Sequence, residues 1–505
     1  MKSARTLMIQ GTSSSAGKSI MVAALCRIFR QDGYRVAPFK AQNMALNSFV
    51  TTEGGEIGRA QVVQAEAACI KPTVDMNPVL LKPTTDTGCQ VVVMGKVART
   101  ISAGDYYQYT PSLLTTIEAA LNRLRAAYDI VVIEGAGSPA EINLKEREIV
   151  NMRVAKMAGS PVLLVGDIDR GGVFASLVGT LELLDEDECN YVKGLIINKF
   201  RGDLELLKPG LEFLEKRTGK PVLGVVPYFR DIRVAQEDSV YLDERAENSA
   251  TGDLDIAVIR LPHISNYDDF DPLEEEGCRV RYVAKRGELG KPHLIILPGT
   301  KGTVNDLRYL WQSGLAEGVL RQAEAGIPVV GICGGYQMLG QGILDPQGVE
   351  SAEAEVAGLG LLDIVTNFTP EKSTRQVRAR VLSDLGLLSG TKGQEIVGYE
   401  IHMGQTRCEE GLSAFQVFET PQGATDYGDG ALNARGTVLG TYMHGIFHNA
   451  DFRRAFLNSL RRRWGLPESE GGAVGGREPQ YDKLAELVRR SLDMAEIYQI
   501  VEGQV

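Results

Sequence analysis

The chain has 505 residues, of which 44% are hydrophobic and 24% charged, and its formal net charge is −11. That length calls for two or three domains of a soluble globular protein. The acidic balance excludes the basic stripe of a nucleic-acid-binding protein, since Arg461-Arg462-Arg463 is a short patch that reads as the solvated face of a predicted helix.

Seven cysteines lie scattered at 26, 69, 89, 189, 278, 333 and 408, with no CxxC pair. An odd, unpatterned set of thiols argues for a reducing compartment and against a disulfide framework or a zinc site. His444 and His448 stand four apart, without a partner at metal-ligand spacing. Met1-Lys2 leads directly into a strand-like Thr6-Leu7-Met8-Ile9, and no apolar run reaches 18 residues. A cytoplasmic protein without a membrane partner is expected, and the sequence sets no oligomeric state.

In chain order, apolar strand candidates at 6–10, 35–39, 90–94, 129–134, 161–166, 193–197 and 221–226 alternate with amphipathic helix candidates. The helices include 18–31, 57–70, 112–127, 146–158 and 203–217. Such alternation predicts a doubly wound α/β domain over 1–235. Its first turn reads Gly11-Thr12-Ser13-Ser14-Ser15-Ala16-Gly17-Lys18-Ser19, between a strand and a helix. Backbone N–H groups there can cradle a triphosphate, with Lys18 on the terminal phosphates and the Ser19 hydroxyl on Mg²⁺. Five residues, rather than the usual four, separate Gly11 from Gly17. Ile130-Val131-Val132-Ile133-Glu134 puts a carboxylate at the C-terminal end of a strand, where open α/β sheets bind ligands. The same edge argument makes Asp167 and Asp169 candidates for a further carboxylate near the metal, Asn198 for the nucleobase edge, and Lys40 for a strand-end cation.

Residues 236–253 are polar and acidic and read as a linker. Alternation restarts at 254, with strands expected at 254–259, 279–283, 293–297, 327–332, 396–402, 414–418 and 437–442, giving a second α/β domain over 254–455 that is more mixed toward its end. Within it, Ile327-Pro328-Val329-Val330 runs into Gly331-Ile332-Cys333-Gly334-Gly335-Tyr336-Gln337. A Cys between a buried strand and a helix, flanked by glycines, reads as a nucleophile elbow. The helix N–H groups point at the sulfur and stabilise negative charge there. Residues 456–505 form a helical extension, with helices at 450–464 and 480–498 and a Gly-rich loop over 467–476.

These residues carry a resemblance. The lengthened phosphate loop with Glu134-Gly-Ala-Gly resembles the dethiobiotin-synthetase-type P-loop fold. Together with Lys40-Ala-Gln-Asn-Met-Ala-Leu-Asn47, Met76-Asn-Pro-Val-Leu-Leu-Lys82, Asp169-Arg-Gly-Gly-Val-Phe174 and Asn198-Lys-Phe-Arg-Gly-Asp203, it is similar to the cobyric acid synthase family. Leu297-Pro-Gly-Thr-Lys301, the Cys333 segment, Gly398-Tyr-Glu-Ile-His-Met403 and Tyr442-Met-His-Gly445 extend the likeness through a class I-like glutamine amidotransferase domain. The resemblance implies a glutamine-hydrolysing, ATP-dependent ligase of cobalamin biosynthesis. Its corrinoid substrate would be adenosylcobyrinic acid a,c-diamide, amidated on carboxylates b, d, e and g, with one ATP and one glutamine consumed each time.

That chemistry needs both domains. Phosphorylation by ATP turns an inert carboxylate into an electrophile, a task for Lys18, Ser19, Glu134 and an Asp such as Asp167 around Mg²⁺. Lys40, Lys82 and Arg170 are candidates for steering the acidic corrinoid. Cys333 would attack glutamine, with His444 passing the proton to the leaving ammonia, and the N–H of Gly334 and the Gly299-Thr300 turn would receive the oxyanion. Class I glutaminases usually place a Glu two residues after this His to orient it; here that position is Ile446. Glu400 or a backbone carbonyl is the expected substitute, and His402 is a further residue that could face the site. Two other readings stand beside this one: the related a,c-diamide synthase, and a partitioning-type P-loop switch protein. The latter lacks its usual early Lys here, since the loop starts Gln10-Gly11-Thr12, and it would have no use for Cys333.

Overall fold

The computed structural model describes residues 3–84, 88–229, 231–232, 234, 252–408, 413–470 and 476–503. Most of the expected linker and the centre of the Gly-rich loop lie outside the described residues. The chain divides into two units, one made of Met1–Ala45, Ile57–Glu237 and Gly475–Val505, the other of Leu46–Glu56 and Asp238–Val474. This differs in two ways from the division expected at 235 and 254. Residues 46–56 join the second unit, and the chain beyond 475 returns to the first.

The first unit is built on a six-stranded parallel sheet. Its order is Val222–Pro227, Val192–Phe200, Val162–Asp167, Arg5–Gly11, Ile130–Glu134, Val36–Phe39. The central strands are continuous apolar runs because helices cover both faces; Leu7, Met8 and Ile9 are all fully buried. Chain order reverses on either side of Arg5–Gly11, which sets the phosphate loop and Glu134 at the switch point where such sheets take ligands. The run at 90–94 is a strand, Gly88–Val93, but it belongs to a separate sheet with Gln42–Met44, Val79–Pro83 and Lys96–Ser102. An antiparallel hairpin buried on one side presents the same short apolar run as a parallel core strand, so the sequence does not distinguish them.

The expected C-terminal extension is two different things. Ala450–Trp464 stays with the second unit, whereas Arg477–Ser491 and Met494–Glu502 cover the phosphate-loop helix Lys18–Gln31. Leu484, Val488 and Ile497 pack with Met21, Leu25 and Phe29, and Arg27 pairs with Asp482 at 2.8 Å. Asp493 breaks the predicted single helix by capping the Glu496 N–H at 3.0 Å.

The second unit has a parallel sheet in the order Arg279–Val283, Asp255–Ile259, Leu294–Leu297, Val329–Ile332, Val438–Thr441, edged by the antiparallel pair Ala431–Leu432. A second, mostly antiparallel sheet is organised on the long strands Ile364–Val381 and Glu395–Cys408. Both units are therefore α/β, with mostly parallel main sheets. No helix among the described residues is long and apolar enough to cross a membrane.

Candidate active site

In the first unit, Gly17 caps the helix at φ 101°, in the left-handed region. No side chain would fit there, since a Cβ would lie 2.0 Å from Asn198 Nδ2. Asn198, the candidate for the nucleobase edge, donates that amide to the Ala16 carbonyl at 2.9 Å and so clasps the loop. Thr12 N–H donates to Val165 O at 3.0 Å, which ties the loop to the next strand. Lys18 Nζ donates to Ser13 O at 2.8 Å and Gly137 O at 2.9 Å.

Glu134 is the polar centre of this unit. Its carboxylate accepts from Ser19 Oγ at 2.8 Å, Lys40 Nζ at 2.9 Å and Gln64 Nε2 at 2.5 Å. Burial opposes its ionisation, but Lys40, Gln64 and Ser19 hold its pKa below the usual value. Lys40, a candidate for the substrate, is paired here with Glu134. Asp167 is engaged as well: Lys199 Nζ lies 2.9 Å from one oxygen, and the Asp169 N–H donates to the other at 2.8 Å. Asp169 pairs with Arg201 at 3.0 Å. Lys82 is buried on the separate four-stranded sheet, and Arg170 is exposed after the Val162–Asp167 strand. Among the described residues no three acidic, His or Cys side chains cluster to form a metal site. Ser19 and Glu134 remain a hard-oxygen pair suited to a Mg²⁺ whose other ligands are phosphate oxygens and water.

In the second unit, Cys333 ends the strand Val329–Ile332 with φ 51° and ψ −107°. A non-glycine residue at positive φ is strained, as at a nucleophile elbow. The turn is compact because Gly335 lies against the neighbouring strand, where a Cβ would come within 2.0 Å of Leu297 O. Cys333 is 7% exposed, with Sγ 3.6 Å from Ile401 O.

His444 follows the strand Val438–Thr441 and is 1% exposed. Its Nδ1 lies 2.7 Å from Asp269 Oδ2, and the Gly445 N–H donates to Asp269 Oδ1 at 2.7 Å. Burial works against the imidazolium, but Asp269, and after it Cys333, raise its pKa to about 10. Burial pushes the Asp269 carboxyl up as well, and His444 and the Gly445 N–H pull it back. A proton held along Nδ1···Oδ2 satisfies both groups.

Asp269 thus occupies the role that Glu400 was expected to fill. Glu400 instead accepts from Arg375 Nε at 2.7 Å and Tyr427 OH at 3.0 Å. His402 is stacked on Tyr442, with ring centroids 3.7 Å apart, and its Nδ1 is 2.7 Å from Gly404 O. Ile446 is fully buried in the apolar core. Sequence reasoning offered Glu400 or a backbone carbonyl for this place and missed Asp269, which lies 175 residues upstream of His444. Asp268-Asp269 lies in the short helical turn Tyr267–Phe270, after the strand Asp255–Ile259 that opens the second unit's sheet.

The Gly299-Thr300 turn lies against both groups. A Cβ on Gly299 would be 2.9 Å from His444 Cε1, and one on Gly334 would be 3.2 Å from Thr300 N. Ile264 and Thr300 form an antiparallel bridge closed by Ser265 N–Gly299 O at 2.8 Å and Lys301 N–His263 O at 3.1 Å. In that pattern the Thr300 N–H points away from the partner strand. Buried Asp306 fixes the turn, accepting from Thr300 Oγ1 and, at 3.1 Å, from His263 N–H.

Comparison with known proteins agrees with this two-part architecture. A family model described as the CobQ/CobB/MinD/ParA nucleotide binding domain matches residues 7–240, and one described as the CobB/CobQ-like glutamine amidotransferase domain matches residues 255–452. Cobyric acid synthase from Dehalococcoides mccartyi strain 195 is 62% identical over 498 residues, covering 99% of this chain and 98% of the relative. The chain belongs to the cobyric acid synthase family. Members from Sorangium cellulosum and Pelotomaculum thermopropionicum are 55% and 54% identical; each comparison covers 99% of this chain, and 99% and 97% of the respective relative.

Proposed function

We propose that the protein is a glutamine- and ATP-dependent amidoligase of cobalamin biosynthesis, converting adenosylcobyrinic acid a,c-diamide to adenosylcobyric acid by amidating carboxylates b, d, e and g. The observation that carries this reading is the 62% identity to a cobyric acid synthase over 99% of the chain. The a,c-diamide synthase and switch-protein readings gain no comparable support.

In the second unit, the thiol proton of Cys333 is carried by His444 as the imidazolium, and the sulfur attacks the glutamine carboxamide carbon. Asp269 holds the imidazole in orientation and stabilises its charge. The N–H groups of Thr300 and Gly334 take the oxyanion. His444 then delivers the proton to the departing ammonia, and water releases glutamate from the thioester. In the first unit, ATP with Mg²⁺ supplies the phosphoryl group that activates the corrinoid carboxylate. The loop from Gly11 to Ser19 cradles the phosphates, Lys18 bears on their charge, and Ser19 and Glu134 would hold the ion. Lys40 neutralises Glu134, while Lys82 and Arg170 are left as the cations to test for the corrinoid. A cytoplasmic location suits these substrates.

Mass spectrometry of the purified protein with ATP, Mg²⁺, glutamine and the a,c-diamide tests the reading. Four successive replacements of OH by NH₂ are expected, and any other number, or none, overturns it. Cys333→Ala should abolish synthesis from glutamine and retain it with high external ammonium. Lys18→Ala should abolish synthesis from either nitrogen source.

A further inference from the structure

Residues 46–56 make up most of a short hairpin, in which Ser48–Val50 pairs with Glu56–Gly58, and they belong to the second unit, although the chain on both sides of them belongs to the first. The hairpin turns at Thr51, whose N–H donates to Gly55 O at 2.8 Å. Gln376 Nε2 donates to Val50 O at 2.9 Å, and buried Glu56 pairs with Lys372 at 2.6 Å. These contacts seat the hairpin, and two further sets lead from it to the histidine.

The first runs through Tyr399. Its ring is stacked on the His444 imidazole, with centroids 5.3 Å apart and planes 20° apart. The two residues also exchange backbone hydrogen bonds, His444 N–H to Tyr399 O at 2.9 Å and Tyr399 N–H to His444 O at 3.2 Å. The Tyr399 hydroxyl donates to Ser48 O at 3.3 Å, and Phe49 packs edge-on against the ring at 5.0 Å. The second runs through Asn266, in the left-handed region at φ 54°. Its Nδ2 donates to Ser48 O at 2.8 Å and to Tyr399 OH at 2.7 Å, and its carbonyl accepts the Asp269 N–H at 3.1 Å. The Tyr267 N–H reaches Asn47 Oδ1 at 3.3 Å. One hairpin carbonyl, Ser48 O, therefore anchors the residue stacked on His444 and the residue that closes the turn carrying Asp269.

We propose that the Leu46–Glu56 hairpin is a positioning element for ammonia release, setting His444 through Tyr399 and Asp269 through Asn266. The proposal rests on the glutaminase reading above. Tyr399 and Asn266 touch no reacting atom in it; they hold the base and its orienting carboxylate in register with Cys333. Small displacements at such a site are costly, because a misplacement of about 1 Å can lower turnover on the order of a hundredfold.

The test uses the full-length protein carrying Tyr399→Phe, Tyr399→Leu, Phe49→Ala or Phe49→Leu, with glutamate release and ammonium-driven amidation measured side by side. Tyr399→Leu should lower kcat for glutamine about tenfold or more, with KM within about twofold, the pattern of a lost transition-state arrangement. Tyr399→Phe keeps the ring and loses the anchor, so it should fall between wild type and Tyr399→Leu. Phe49→Ala should lower kcat, and Phe49→Leu should restore most of it. Ammonium-driven amidation should be unchanged throughout. Unchanged kcat in both Tyr399→Phe and Phe49→Ala, a loss expressed in KM, or an equal loss with ammonium would each overturn the proposal. Failure of the unaltered protein to hydrolyse glutamine would instead overturn the glutaminase reading itself.

Discussion

Asp269 decides the protonation of His444. Its carboxylate raises the imidazole pKa to about 10, where an ordinary histidine titrates near about 6.5. The folded-state value is the higher one, so the stability this pair contributes is fully present below the ordinary value and is lost as pH rises through about 10. The imidazolium should likewise persist through neutral pH. The alkaline limb of glutamine hydrolysis is therefore expected near pH 10 in the unaltered protein, shifting toward about 6.5 in Asp269→Asn. A pH series of glutamate release checks this, and coincident limbs would remove Asp269 from the role. Glu400→Gln should leave the limb where it is, because Glu400 is engaged with Arg375 and Tyr427. Cys333, Gly334, Thr300 and His444 stood out in the sequence because each sits at a strand end or in a short Gly-bearing motif. Asp269 did not, because a pairing across 175 residues leaves no local spacing to read. Strand alternation put Asn198, Asp167 and Lys40 at strand ends; in the structure they engage Ala16 O, Lys199 and Glu134. The edge follows from strand alternation; the partner depends on side-chain reach.

The strand–Cys333–helix junction depends on close backbone approach. Gly335→Ala would drive a Cβ to 2.0 Å from Leu297 O, a backbone atom that cannot swing aside. The expected cost is about 3 kcal/mol, read by chemical denaturation, together with loss of glutaminase activity as Cys333 shifts. The parallel strands were legible as elements because burial on both faces leaves continuous apolar runs such as Val162–Val165. The helix Ala103–Ala127 begins earlier than its predicted start at 112, since Pro111 reads as a boundary yet lies inside it. Sheet membership was less legible. Gly88–Val93 and Val36–Phe39 are similar short apolar runs, and only tertiary pairing assigns one to the hairpin sheet and the other to the parallel sheet.

For the whole molecule, ligands should act on the units separately. Mg²⁺–ATP at about a hundred times its dissociation constant should stabilise the phosphate-loop unit by about 2.7 kcal/mol. In differential scanning calorimetry the transition assigned to that unit should move up, and Lys18→Ala should cancel the move. The units themselves are not consecutive lengths of chain: residues 46–56 are lent forward to the glutaminase unit, and residues from 475 onward are returned to the phosphate-loop unit. This interleaving has a genetic consequence. Severing the gene near codon 240 would yield a glutaminase without the hairpin beneath Tyr399 and a nucleotide-binding half stripped of the helices over Leu25 and Phe29. Neither product would be a whole module, so the two activities are bound into a single inheritable chain that gene fission cannot readily divide.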